Sequence, residues 1–427
     1  MRRPLDAARS SHILCAGAPP ARTHGAPDRG EHPLSPEYDV IVAGAGPVGL
    51  FGALRLAQQG ASVLLLEAGD RLGTLSKAST FHPSTLDLLD EAGVAEELLE
   101  QGVIVDEIQW RNLDGQTIAR ISFSVLVGQT KFPFRLHAEQ TLLTPILLRE
   151  LEALDSVDVR FSARCDRVEQ DSDTVTATFS GQGGEQRATA KFLLAADGSH
   201  SEIRKQLGID FPGSSYASRA LRVVTREDLR DALPGLAGIA YVRDARQSCS
   251  LLHMRDHWRF IFRVAGKSSD DEVLDPVAVR ELIDTVVPGV SIDFAEVYSN
   301  RAHVAETYTS GRVALAGDAA HVTTTAGGMN MNCGLHDAYA MARAIADVLG
   351  GAPSETFEEA AAARRSVVKD VIIPGTESRA AGSEGDAEAL AKALASIEEL
   401  AGDPQRSLEF LYQASMLDTA PSLGVAR

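Results

Sequence analysis

The stretch YDVIVAGAGPVGLFGALRLAQQGASVLLLEAG, residues 38–69, holds two apolar runs separated by a glycine-rich turn and a helix-forming segment. Continuous apolar runs are the mark of strands buried on both faces, and a helix between two of them makes a βαβ unit. The turn reads Gly44-x-Gly46-x-x-Gly49. In that spacing Gly44 permits a tight turn, Gly46 lets a pyrophosphate approach the backbone, and Gly49 lets helix and strand pack closely. Pro47 suits the first helical turn, where its missing N–H is not needed. Glu67 follows Gly44 by 23 residues, about where a carboxylate accepts hydrogen bonds from an adenosine ribose. A glycine fingerprint alone is weak. With both strands, the helix and the acid in place it points to a dinucleotide, without separating NAD from FAD.

Two further stretches extend this reading. RVALAGD, residues 312–318, is a buried-type strand that delivers Asp318 to the carboxyl end of a sheet, where a carboxylate grips a diol. The loop that follows carries Gly327, Gly328, Asn330 and Asn332 and leads into GLHDAYAMARAIADVLGG. That segment has Leu335, Ala338, Tyr339, Ala342, Ile345 and Leu349 on one helical face. The free N–H groups and positive dipole end of such a helix favour negative charge. Between these elements, FLLAADGSHSEIRKQLG, residues 192–208, runs from a strand into Asp197-Gly198 and a short helix, with Ser199 and Glu202 spaced as a capping box.

Together the three motifs, in this order, resemble the class A flavoprotein monooxygenases with the 4-hydroxybenzoate hydroxylase fold, over about residues 37–370. The second motif resembles Asp197-Gly198-x-x-Ser201-x-Ile203-Arg204, and the third Gly317-Asp318-Ala319-Ala320-His321 with Gly327-Gly328 and Asn332. The resemblance implies that Gly44, Gly46, Gly49 and Glu67 bind the ADP part of FAD. It places Asp318 on the ribityl chain, sets the Gly327–Asn332 backbone, Asn330 included, beside the isoalloxazine, and associates Asp197 with FAD and NAD(P)H. Lys77 falls where the family usually has Arg, and Gln140 matches a cofactor-contacting glutamine. Thr324 and Thr325 replace a common proline pair, which predicts a more mobile or differently bent loop. The implied reaction is NAD(P)H- and O2-dependent hydroxylation of an aromatic or polyketide-like molecule through a flavin C4a-hydroperoxide. A reductase or dehydrogenase of the same fold, and a flavin-binding protein without turnover, are the alternatives. Trp110 and Trp258 are too far apart for the WxWxIP motif of halogenases.

The expected architecture is α/β, with a Rossmann-like FAD-binding domain on a parallel sheet (37–75, 131–208 and 300–352). Interleaved with it is a mainly β-sheet substrate-binding domain (76–130 and 209–299), and a C-terminal helical segment follows (353–427). Asp114-Gly115 reads as a hairpin turn. SLLHMRDHWRFIFRV places Trp258, Phe260 and Phe262 on one strand face, either walling the flavin or packing a core, with Arg259 and Arg263 on the other. Arg222, Tyr241 and His253 are candidate phenol contacts, and no side chain stands out as catalytic.

Composition sets the limits. The 427 residues carry a net charge of −18 and are 44% hydrophobic, which disfavours a nucleic-acid partner. No apolar run reaches the roughly 18 residues of a membrane span. Cys15, Cys165, Cys249 and Cys333 form no CxxC pair, so neither a metal site nor a disulfide framework is expected, and the chain reads as cytoplasmic. Residues 1–36 lack the apolar core of a secretory signal and read as a disordered extension.

Overall fold

The run Tyr38–Ala43 becomes the centre of an open sheet because both its faces are apolar and covered, with Val40, Ile41 and Val42 fully buried. The computed structural model describes residues 37–181, 183–266, 268–381 and 387–423, so the extension read over residues 1–36 lies outside the described residues. Tyr38–Ala43 pairs in parallel with Gly184–Ala195 on one side and Val63–Leu66 on the other. Val313–Leu315 and Val157–Arg160 continue the parallel array outwards. The register sets Ala43 level with Leu66 and Ala195, and Ala195 level with Leu315. Strands aligned in this way release their carboxyl ends along one edge. The chain therefore enters Gly44, Glu67, Asp197 and Asp318 from adjacent positions.

Helix Pro47–Gln58 lies close on this sheet. A Cβ at Gly49 would overlap the Gly44 carbonyl, and one at Gly52 would sit 2.7 Å from Leu194 Cδ2. Helix Met329–Leu349 packs beside it and is buried over most of its length.

The second sheet is mainly antiparallel. Its order is His321–Val322, Phe294–Val304, Gly213–Thr225, Trp258–Ala265, Cys249–His253, Ile239–Val242, Glu107–Arg111 and Thr117–Ser122. Gly115, at φ 80°, makes the turn between the last two strands. Trp258, Phe260 and Phe262 share a core with Leu221, Val223 and Leu251, closed by Val279 and Ile283 of helix Pro276–Asp284. The aromatic-wall reading is thereby corrected: this face is covered by the protein's own helix. Alternation put the three rings on one face; the helix decided which face that is.

The stretch 76–130 does not all belong to this second layer. Thr80–Phe81 pairs with Arg135–His137 and, through it, with Val103–Val105. Phe81, Leu86, Leu89 and Leu98, from the first of these strands and helices Pro83–Glu91 and Ala95–Gln101, join the core under the parallel sheet because their apolar faces pack there. At the other end of the chain, helices Glu355–Val367, Ile373–Ala381, Ala387–Gly402 and Pro404–Ala414 follow, with a short turn Leu417–Leu423. The second sheet's outermost strand comes directly after the third loop of the first. Val304 and His303 pair with His321 and Val322, a few residues after Asp318.

Candidate active site

Three loops meet at the carboxyl edge of the parallel sheet. Gly44, at φ 104°, turns where a side chain is excluded, because a Cβ there would come within 2.9 Å of the Ala196 carbonyl carbon. Gly46 faces open space, so its backbone is free to meet a ligand. Glu67 accepts hydrogen bonds from the N–H of Ala45 and of Gly69, each at 2.7 Å. The carboxylate thus fixes the glycine turn with one lone pair on each oxygen and keeps the others.

Asp197 enters from the neighbouring strand. Its Oδ2 accepts from Ile203 N–H at 3.3 Å, whereas Oδ1 is buried without a hydrogen-bond partner. Burial raises this carboxyl above the usual carboxylate range. A buried, unpaired carboxylate oxygen at a sheet edge is suited to a donor from a ligand. The helix after it begins at Ser201, whose side chain accepts from Arg204 N–H at 2.9 Å. The capping box read at Ser199 is corrected accordingly. Gly198, at φ 87°, turns the chain so that helical backbone starts two residues later than spacing suggested. Arg204 reaches across to donate to the Ala319 carbonyl at 2.7 Å and lies 3.8 Å from the Phe211 ring centroid, which joins the second motif to the third.

In that third loop Asp318 Oδ1 accepts from Asn330 Nδ2 at 2.6 Å, and Asn330 Oδ1 accepts from Thr323 N–H at 2.9 Å. Thr325 donates to Asn300 Oδ1 at 3.1 Å, and Thr324 is buried. Side-chain bonds from Asn330 and Thr325 thus run within and beside this loop, where prolines were expected. Gly327 and Gly328 both have positive φ, and helix Met329–Leu349 starts at Gly328 without a side-chain cap. Asn332 is fully buried, accepting from His82 N–H and donating to the Thr80 and Gly328 carbonyls. Lys77 stands exposed before Thr80, and Gln140 opens helix Gln140–Glu152 with Nε2 at 3.4 Å from the Leu75 carbonyl.

Sequence reading missed the charges beneath this loop. Asp337 Oδ2 lies 2.6 Å from His321 Nε2 and accepts from Gly317 N–H at 3.3 Å, while Oδ1 accepts from Arg364 Nε at 2.9 Å. Arg364 also donates to Cys333 Sγ at 3.2 Å, and all these side chains are fully buried. Burial acts to lower the His321 pKa, but the charge of Asp337 prevails and raises it to about 10. His321, Cys333 and Asp337 are close enough to share a metal, yet the Arg364 guanidinium already bonds two of them. The one signal in the sequence was an acid within an apolar helix.

On the substrate side, the three phenol candidates have local duties. His253 stacks on Trp258 at 4.6 Å between centroids and meets Arg230 Nη2 at Nδ1. Tyr241 lies between Trp110, at 5.7 Å, and the Arg243 guanidinium, at 5.2 Å. Arg222 pairs with Glu296 at 2.5 Å and donates to the Ser76 carbonyl. A cleft of about 530 Å³ opens beside Arg222, lined also by Glu139, Arg226, His257, Arg259 and Phe294.

A family model described as FAD binding domain matches residues 37–373. The chain belongs to the class A FAD-dependent aromatic monooxygenase family. Among its relatives in that family, para-nitrophenol 4-monooxygenase of Pseudomonas sp. (strain WBC-3) is 30% identical over 344 residues, covering 78% of this chain and 84% of that one. Aklavinone 12-hydroxylase of Streptomyces peucetius is 32% identical over 403 residues, covering 89% and 81%. The crystal structure of p-nitrophenol 4-monooxygenase from Pseudomonas putida superposes with a TM-score of 0.84 at 27% identity, over 92% of this chain and 100% of the other. The monooxygenase family accounts for the geometry. Open backbone at Gly46, an unpaired Asp197 oxygen and an uncapped helix at Gly328 fit a flavin dinucleotide laid along one sheet edge. Among the described residues no helix is long and apolar enough to cross a membrane.

Proposed function

We propose that this FAD-dependent monooxygenase uses NAD(P)H and O2 to hydroxylate an aromatic or polyketide-like small molecule, in the cytoplasm. The observation that carries the reading is the meeting of Glu67, Asp197 and Asp318 around open glycine backbone on one sheet edge. The relatives support it, being named for nitrophenol and aklavinone oxidation.

Each residue then has a task. Gly44, Gly46 and Gly49 leave the N-terminus of helix Pro47–Gln58 open to the diphosphate, and Glu67 receives the adenosine ribose. Lys77 and Gln140 flank the diphosphate and ribose. Asp318, oriented by Asn330, receives the ribityl hydroxyls, and Asp197 offers its free oxygen to FAD and NAD(P)H. The backbone of Gly327, Gly328, Asn330 and Asn332 borders the ring, with the unshared N–H groups of the helix start facing developing negative charge. FAD, when bound, supplies electron transfer from NAD(P)H and the activation of O2. The rest of the chain holds the aromatic ring in place and keeps water out.

In domain terms, 37–75, 131–208 and 300–352 form the cofactor side, 76–130 and 209–299 mainly supply the substrate side, and the C-terminal helical segment (353–427) follows. The test is direct: purify the protein, record its visible spectrum, and follow NADH and NADPH oxidation in air across phenols and aromatic polyketides. Expected are a flavin spectrum, substrate-stimulated oxidation and a product heavier by one oxygen atom. A protein that takes up no FAD on reconstitution would overturn the reading.

A further inference from the structure

Gly327 is flanked by basic side chains that neither the glycine motifs nor the fold requires. His82 is fully buried, and its Nε2 lies 2.9 Å from the Gly327 carbonyl. A carbonyl oxygen only accepts, so Nε2 carries the proton and, in the neutral ring, Nδ1 is left as an acceptor. That Nδ1 is buried and has no hydrogen-bond partner. Burial first, and then the charge of Arg135, hold the His82 pKa well below the usual histidine range, so the ring is neutral.

Two arginines complete the cluster. Arg135, on the strand Arg135–His137, is 3% exposed, has its Cζ 5.5 Å from the Phe123 ring centroid, and keeps a buried Nε–H without an acceptor. Arg379, from helix Ile373–Ala381, brings Nη1 to within 3.3 Å of where a Gly327 side chain would begin. That Nη1 is also buried and unpartnered. Among the described residues neither the buried Arg135 nor the half-buried Arg379 has a carboxylate within ion-pair distance, although Arg379 feels the charge of Asp418 and the buried Arg364 and Arg259 are paired. Burying a cation and its N–H groups without acceptors is costly. One such donor, on Arg379, and one acceptor, on His82, are therefore left open beside the Gly327 backbone, and the charge of Arg135 acts on both residues.

A phenolic hydroxyl has the complementary pattern, one donated hydrogen and two accepting lone pairs. We propose that His82, Arg135 and Arg379 form a binding site for an ionisable hydroxyl on the aromatic substrate, with His82 Nδ1 accepting its hydrogen and the two arginines donating to its oxygen. The inference rests on the monooxygenase reading and deepens it, naming the side chains that would hold the ring's hydroxyl. It also gives the C-terminal helix a part in specificity, through Arg379.

The experiment compares matched rings by calorimetry on the FAD-loaded protein: 4-nitrophenol against 4-nitroanisole, and 1-naphthol against 1-methoxynaphthalene. Expected is at least about tenfold tighter binding of the hydroxyl-bearing member of one pair, the loss that follows removal of a hydrogen bond to a charged group. Arg379→Met should collapse that preference to about twofold or less, and Arg379→Lys should retain part of it, while both keep wild-type flavin content. Arg135→Met provides a second, independent variant. Equal binding within both pairs, binding of no member, or an unchanged preference in both methionine variants overturns the proposal. Equal binding by a yellow protein that still oxidises NAD(P)H removes this site alone, whereas failure to take up FAD removes the reading beneath it.

Discussion

Asn330 donates its side-chain N–H to Asp318 at 2.6 Å, closing a loop of the third motif across 12 positions. The carboxylate is held in place before any ligand arrives, so less ordering remains to be done on binding. Asp318→Ala removes the proposed ribityl acceptor and Asn330→Ala only its support. Asp318→Ala should therefore weaken FAD binding by at least about tenfold, and Asn330→Ala by less. Titration of the apoprotein with FAD, read by quenching of flavin fluorescence, gives both values; equal affinity in wild type and Asp318→Ala would remove the assigned role.

Gly44 and Gly46 should respond differently to the same methyl group. At Gly44 it meets backbone at positive φ, so Gly44→Ala is expected to lower folding stability as well as FAD binding. At Gly46 it enters open space, so Gly46→Ala should leave the apoprotein's melting temperature within a few degrees while reducing FAD affinity. Calorimetric melting of both apoproteins, with FAD titrations alongside, separates the two effects.

Asp337 pairs with two buried cations. Asp337→Asn leaves the buried Arg364 guanidinium uncompensated and lets burial take the proton from His321, which should cost about 3–5 kcal/mol and loosen Gly317 as well. Denaturant unfolding measures the loss, and a change below about 1 kcal/mol would show that the pair is not the anchor the geometry implies.

Stability should also fall toward alkaline pH. A histidine whose pKa is raised on folding holds its proton more tightly than in the unfolded chain. Its contribution is thus full below about pH 6.5 and disappears as pH rises through about 10. Unfolding measured from neutral pH to about pH 10 should show a steeper decline for wild type than for His321→Gln.

Phe260 lies in the core closed by helix Pro276–Asp284. Phe260→Ala should cost about 3–5 kcal/mol of stability yet leave FAD affinity within about twofold, since the ring does not face the cofactor edge. A stable variant with weakened FAD binding would restore the aromatic-wall reading.

What the sequence disclosed was local. Gly44, Gly46 and Gly49 act within a single turn, Asp318 stands at the end of one strand, and Asp114-Gly115 makes its own hairpin. Contacts across long separations left no such trace. The approach of Arg379 to Gly327, of His82 to Asn332, and of Arg364 to Asp337 depends on how whole elements pack. The faces of Trp258, Phe260 and Phe262 were intermediate: alternation showed that they point the same way, and only the helix covering them gave the direction. Ser199 and Ser201 differ by the bend at Gly198, which spacing alone does not measure.

The pairing of His303 and Val304 with His321 and Val322 stitches the second sheet to the loop that bears Asp318. The loop that bears Asp318 is thus anchored at its far side to the antiparallel layer, and a tilt of that layer would be passed to it.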